Sequence, residues 1–347
     1  RLSMETGAAS VILDAKTGGT LSYVSTPGFD SNLFANGISK TQWEELLHHP
    51  QRPLNDKILT GQYGPGSTFK MIVALAALEA GVITPTTPIN CAGSVALGNH
   101  DFHCHSWKHG GHGTVTLEHA IAQSCDVYFY QVGKLLGIDP MAVMAKRFGL
   151  GKPTGIDLPG EKPGLVPSRQ WKSLVMGKSW MLGETYNASI GQGYVLATPL
   201  QLAVMTARLV TGKAVRPHLA GGEGGSIFED MGLNPEHLKI ILSGMAKVVN
   251  EPFGSGYRSR ITDSGFEMGG KTGSTQVQRI TKKDREQGLA SSANRPWHTR
   301  EHALFVGYAP LNNPRFVTSV LVEHGGSGAR AAAPVARDIL LMAQKMV

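Results

Sequence analysis

What the chain lacks narrows its possible roles first. It holds only three cysteines in 347 residues, an odd number that rules out a complete internal disulfide framework. No stretch reaches the roughly 18 apolar residues of a membrane helix, and no signal-peptide pattern is present. Charge of one sign is only mildly in excess, with Lys+Arg 33 against Asp+Glu 26 and a net charge of +7. That balance favours anionic partners in general. No basic run is longer than Lys282-Lys283 and no aromatics interleave with it, so nucleic acid is not an expected partner. Internal repeats are absent too. What remains is a globular chain whose hydrophobic content of 41% is enough for a core, as one large domain or two smaller ones.

The chain starts at Arg1, without a methionine, and almost at once enters the strand-like Ala8-Ala9-Ser10-Val11-Ile12-Leu13. This reads as a domain cut from a longer protein. Residues 8 to 25 predict a hairpin that turns at Asp14-Ala15-Lys16-Thr17-Gly18-Gly19. The stretch Thr84 to Gly113 is rich in His and Gly and reads as a long loop, followed by helices at Leu117 to Ala122 and Val127 to Leu136. Gly149 to Pro167 is a connection, Pro199 to Val210 and Pro235 to Val249 are helices, and 220 to 225 is a flexible loop. Phe266 to Ile280, Ala303 to Tyr308 and Phe316 to Val322 are strand-like, and Ala331 to Met346 closes the chain as a helix. Strands at both ends around a helical middle predict an α+β fold: a mixed, mainly antiparallel sheet flanked by helices, with a helical lobe inserted over approximately residues 67–215.

The densest chemical signal is Tyr63-Gly64-Pro65-Gly66-Ser67-Thr68-Phe69-Lys70, followed by the apolar run Met71 to Leu78. Gly64, Pro65 and Gly66 cannot continue a helix, so a new one is expected to begin at Ser67, placing Ser67 and Lys70 on one face. A helix apolar on nearly every side belongs inside a domain, where a lysine loses its preference for charge and can act as a base. Ser67 is the candidate nucleophile and Lys70 its base. Ser124-Cys125-Asp126 and Lys271-Thr272-Gly273 follow in order. Singly, each motif also fits a plain role: a helix start, a cap, a solvated strand lysine. Two look-alikes are set aside. Lys16-Thr17-Gly18 repeats the third motif but lies in a hairpin turn, and Gly265 to Thr272 matches a phosphate-loop pattern without the buried strand before it or the helix after it.

Taken together in this order, the three motifs resemble those of penicillin-binding proteins and serine β-lactamases. The chain most resembles the transpeptidase domain of class B penicillin-binding proteins. Similar family segments recur at Val11 to Gly18, Gly155-Ile156-Asp157-Leu158-Pro159-Gly160-Glu161, Ile190-Gly191-Gln192-Gly193, Thr198 to Ala203 and Phe305 to Pro310, so the resemblance covers nearly all of residues 1–347 as one transpeptidase domain. It implies a D,D-transpeptidase that cross-links peptidoglycan stem peptides during elongation and is acylated by β-lactams. In that scheme Ser124 bridges the two lysines and relays a proton, and Lys271 and Thr272 hold the substrate carboxylate. Gly273 allows close approach, and the backbone N–H groups of Ser67 and Ser274 form the oxyanion hole. Where the family usually has Asn, this chain has Asp126, which when ionised can only accept; orienting Lys70 is its expected role. The resemblance also implies the periplasmic face of the inner membrane, an N-terminal anchor and pedestal domain, and partners among glycan polymerases and elongation-complex proteins. A serine β-lactamase, with Glu161 as its deacylating base, and a catalytically silent cell-wall-binding module are the alternatives.

Cys91, Cys104, His112 and Cys125 offer three thiolates and an imidazole, the donor types of a structural zinc site. No C-x2-C knuckle is present, so spacing alone equally allows three free thiols in a histidine-rich loop. The resemblance to the family implies one zinc ion here, with His112 chosen over neighbours such as His105. Cys125 would face the metal while Ser124 and Asp126 face the cleft.

Overall fold

In the computed structural model the described residues are 7–219, 227–278 and 294–346. The loop expected at 220–225 and the polar run from Thr281 to Asn294, save Asn294 itself, lie outside them, and the strand expected over Phe266 to Ile280 spans Gly269–Thr275, its last two expected residues also lying outside. The opening hairpin forms as the sequence predicts. Strands β1 (Ala8–Asp14) and β2 (Thr20–Thr26) pair antiparallel, and Asp14 Oδ1 closes the turn by accepting the N–H groups of Lys16 and Thr17. Lys16-Thr17-Gly18 is thus purely a turn. The AASVILD sequence of β1 is buried at every position because β1 lies between β2 and a distant strand.

That strand is β9 (Phe316–Val322); with β7 (Gly269–Thr275) and β8 (His302–Ala309) it completes a five-stranded sheet of order β2-β1-β9-β8-β7. All four pairings are antiparallel, so the expected mainly antiparallel sheet contains no parallel pair among the described strands. The phosphate-loop pattern at Gly265 to Thr272 runs into the strand β7, whose described continuation to Gln278 is not helical, and Lys271 is enclosed.

The helices begin with two short, exposed ones that the sequence pattern did not reveal, α1 (Asn32–Ala35) and α2 (Lys40–His48). Helix α3 (Lys70–Glu79) is buried from Lys70 to Leu78, as its apolar run requires. Its start differs from expectation: Gly66–Phe69 form a 3₁₀ turn, so Ser67 sits on that tighter turn and the α-helix begins at Lys70. Next come α4 (Leu117–Ala122), α5 (Asp126–Leu136), α6 (Ile138–Arg147), α7 (Arg169–Met176) and α8 (Leu182–Ser189). Helix α9 (Pro199–Thr211) has a capping box between Thr198 and Gln201, Pro199 at its first turn and Gly212 at its end. It packs on β1 and β9.

Helix α10 (Pro235–Asn250) is capped by Asn234 and packs on both α4 and β7, joining the helical side to the sheet from beyond residue 215. A π-helical turn at Gly328–Ala332 leads into the last helix, α11 (Ala333–Lys345). No helix among the described residues is long and apolar enough to cross a membrane.

The stretch from 84 to 113 corrects the expectation of a plain loop. It folds into two small ribbons, β3 (Ile89–Cys91) with β6 (Gly113–Val115) and β4 (Ser94–Leu97) with β5 (His100–His103). Phe102 anchors the second ribbon, meeting Tyr130 of α5 and Tyr186 of α8 edge-on at 5.7 and 5.0 Å.

Candidate active site

A cleft of about 730 Å³ opens where α3, α5 and β7 meet, and Ser67, Ser124, Asp126, Thr272, Gly273 and Ser274 all line it. Ser67 is fixed by backbone contacts on both sides of its turn. Gly66, at φ 54, donates to the Gly191 carbonyl at 2.9 Å, and Gly191, at φ 68, lies so close that a methyl there would strike the Gly66 carbonyl. Gln192 then donates to the Ser274 carbonyl at 3.0 Å, and a methyl on Gly66 would crowd that same oxygen. The nucleophile turn is therefore locked directly against β7, with the Ser67 and Ser274 backbones adjacent.

The second motif lies in the tight turn joining α4 to α5. Ser124 adopts φ 57, a left-handed conformation that a non-glycine residue enters only under constraint. The constraint is visible: Ser124 N–H donates to Ile121 O and Cys125 N–H to Ala120 O, closing α4, while Cys125 Sγ accepts the Tyr128 N–H to start α5. Ser124 and Asp126 line the cleft, and Cys125 is turned fully inward.

Lys70 and Lys271 meet at Ser124. The Lys70 amine reaches the Ser124 carbonyl at 2.9 Å, its hydroxyl at 3.3 Å and Asp126 Oδ1 at 2.7 Å. The Lys271 amine lies 2.8 Å from the same Ser124 hydroxyl and 3.0 Å from the Thr272 carbonyl. Both lysines are fully enclosed. Burial, reinforced by the neighbouring Lys70 charge and opposed by Asp126, holds the Lys271 amine well below the ordinary lysine range. Lys271 is directed at Ser124 and does not line the cleft, whereas Thr272 and Ser255, whose hydroxyls lie 2.7 Å apart, do.

Ser255 carried no sequence signal; it enters because its N–H donates to the Ala122 carbonyl, pinning its loop beside the second motif. Asp126 contacts Lys70, the residue it was expected to orient. Oδ1 accepts from Lys70 and Oδ2 from the His105 N–H at 3.0 Å, so both oxygens are occupied.

Behind Asp126 the four metal-donor candidates converge. One donor atom from each of Cys91, Cys104, His112 and Cys125 lies within 4.8 Å of the others, and the thiols are unbridged. His112 Nδ1 is 3.6 Å from Cys91 Sγ and 3.5 Å from Cys104 Sγ. Tetrahedral zinc with ligands at about 2.0–2.3 Å needs donors about 3.6–3.8 Å apart, so the donor set fits that ion in chemistry and in spacing. The hydrogen bond from the Cys125 thiol and that from His112 draw Cys104 toward the thiolate, while that same hydrogen bond with Cys104, burial and the Cys104 charge push Cys125 up. His105 stays outside the cluster: its ring nitrogen lies 2.9 Å from the Gln123 carbonyl and its ring packs on His112 at 5.0 Å.

A serine on a helical turn, with two enclosed lysines converging on a second serine, is the arrangement of a serine acyl-transfer fold, and the comparison with known sequences agrees. Residues 8–341 match the model of the penicillin binding protein transpeptidase domain, and the chain belongs to that family. Within the family its similarity is to penicillin-binding protein 2. The peptidoglycan D,D-transpeptidase MrdA of Haemophilus influenzae is 39% identical over 343 residues, covering 96% of this chain and 52% of that protein. The crystal structure of Pseudomonas aeruginosa PBP2 in complex with WCK 5153 has a TM-score of 0.84 at 38% identity, over 97% of this chain and 71% of that one. The complex between PBP2 and MreC from Helicobacter pylori has a TM-score of 0.86 at 32% identity, over 98% and 60%. The chain spans about half the length of the curated relatives it matches.

Proposed function

We propose that this chain is the catalytic part of a peptidoglycan D,D-transpeptidase of wall elongation, acylated at Ser67 by the penultimate D-alanine of a stem peptide. The observation that carries this reading is the Ser124 hydroxyl within hydrogen-bond reach of both the Lys70 and the Lys271 amines, on the cleft that Ser67 lines. Lys70 takes the Ser67 proton as the Ser67 oxygen bonds to the carbonyl carbon. The proton passes through Ser124 to the leaving D-alanine amine as the C–N bond breaks. An acceptor amine then attacks the ester, its proton returns along the same path, and Ser67 is released. Lys271, disfavoured as an ammonium by burial, keeps the Ser124 hydroxyl aligned between the two amines. β-Lactams acylate the same oxygen.

The metal site belongs to the same reading. Cys91, Cys104, His112 and Cys125 would hold one zinc ion, which when bound supplies a structural tie between the ribbons and the α4–α5 turn and takes no part in the chemistry. By analogy with its relatives, the whole protein would face the periplasm from the inner membrane and work with a glycan polymerase and elongation-complex proteins. The Helicobacter pylori relative's complex with MreC supports that class of partner.

The β-lactamase alternative has less support, because Glu161 accepts the N–H groups of Thr154 and Gly155 at 2.7 and 3.1 Å and is absent from the cleft lining. Incubation with a labelled penicillin tests the proposal: a stable 1:1 adduct that disappears in Ser67→Ala is expected. Rapid turnover of the penicillin would favour the β-lactamase, and labelling that survives Ser67→Ala would overturn the nucleophile.

A further inference from the structure

We propose that Arg330 determines specificity for a carboxylate carried by the acyl donor, on the N-terminal side of the bond that is broken. The inference rests on the acyl-transfer reading and extends it to the substrate's charge. Arg330 lies on the π-helical turn Gly328–Ala332, an uncommon geometry that recurs at functional sites. The turn is seated on the catalytic strand: Gly328 N–H donates to Ser274 Oγ at 3.3 Å, and a methyl on Gly328 would strike the Gly273 and Leu304 carbonyls. Backbone contact therefore sets where Arg330 stands relative to Ser67 and β7. Both Arg330 and its neighbour Ala329 line the cleft, and Arg330 is exposed.

The other charged side chains of the cleft each have a fixed partner, though Arg300 has only a backbone one among the described residues. Asp126 is held by Lys70 and the His105 N–H, Glu301 pairs with Arg295 at 3.5 Å, and Arg300 Nε donates to the Arg295 carbonyl. Among the described residues the Arg330 guanidinium has neither a hydrogen-bond nor an ion-pair partner. It is a cation open to an incoming anion, and a guanidinium can take both oxygens of a carboxylate at once.

The position selects which carboxylate. On the acyl-transfer reading, the Thr272–Ser255 hydroxyl pair, whose Ser255 loop is tied to the Ala122 carbonyl next to the second motif, takes the leaving-group carboxylate. The π-helical turn meets β7 one step further on, at Ser274, in the direction of Gln276, which also lines the cleft. An anionic group reaching Arg330 is thus carried by the acyl part. Stem peptides bear such carboxylates upstream of their terminal D-alanines.

Benzylpenicillin and its α-carboxy derivative carbenicillin differ only by a carboxylate on the acyl side chain, so their acylation rates isolate this contact. In Arg330→Gln the ratio of the carbenicillin to the benzylpenicillin rate constant is expected to fall about tenfold, equal to about 1.4 kcal/mol. Arg330→Lys should keep part of that ratio. General damage to folding cancels, because both rates come from the same variant. A ratio unchanged within about twofold in Arg330→Gln overturns the proposal, as would an equal loss with both probes, which would place Arg330 on the carboxylate they share. Failure of the unmodified protein to react with either probe would instead overturn the acyl-transfer reading itself.

Discussion

The His105 N–H donates to Asp126 Oδ2 at 3.0 Å. One backbone hydrogen bond thus joins the segment carrying Cys104 to the carboxylate that holds Lys70, and Cys104 Sγ accepts the Asp126 N–H in the same place. The donor cluster and the proton path share a wall, so loosening one displaces the other.

Metal removal is the direct test of that coupling. Chelation is expected to lower the melting temperature by about 5 °C or more and to slow penicillin acylation about tenfold. Cys91→Ser, at a donor outside the cleft lining, should reproduce both effects. Metal analysis should give one zinc per chain before treatment. If verified metal loss left melting and acylation as they were, the tie would not exist.

The nucleophile turn depends on Gly191. Its φ of 68 and its contact with the Gly66 carbonyl leave no room for a side chain, so Gly191→Ala should displace Ser67 and cut acylation about 100-fold. Gly177 provides the comparison, at φ 63 with open space around it. Gly177→Ala should cost about 1 kcal/mol of stability and leave the acylation rate alone. Equal acylation in the two variants would show that backbone strain, and not displacement of Ser67, was being measured.

Acid should destabilise the fold through His302. Burial, with repulsion from His324, lowers this histidine from 6.5 to about 4, and its Nδ1 accepts the His324 N–H. Because the folded value lies below the unfolded one, the unfolded chain takes up the proton first as pH falls. The contribution is fully present above about pH 6.5 and is lost on the way down to about pH 4, an amount on the order of 3 kcal/mol. Urea unfolding at pH 7, 5.5 and 4 should show a shallower loss in His302→Gln. Parallel pH curves for the two proteins would refute the assignment.

Much of the site was legible before the fold. Ser67, Lys70, Ser124, Asp126 and Thr272 carry recognisable local patterns; the structure sets four of them on one cleft and encloses Lys70 behind it, against Ser124 and Asp126. Ser255, Gly191 and Arg330 were not legible as site residues on their own, since a serine in a loop or an arginine near a helix start has no distinctive neighbours in sequence. The ribbons at 89–115 escaped because strands of three or four residues are too short to show alternation. The 3₁₀ turn at Ser67 escaped because Gly191, far along the chain, imposes it.

The sequence by itself determined the elements whose cause is local: the hairpin closed by Asp14, the wholly apolar α3, the capped α9, and the order in which the three motifs arrive. Tertiary structure alone decided that the Lys271 amine would turn from the cleft to Ser124, a partner 147 residues away, and that three scattered thiols and one imidazole would converge behind Asp126. The division is physical. Periodicity and capping act over one or two helical turns, whereas the direction of a buried amine depends on which distant groups can replace its lost water.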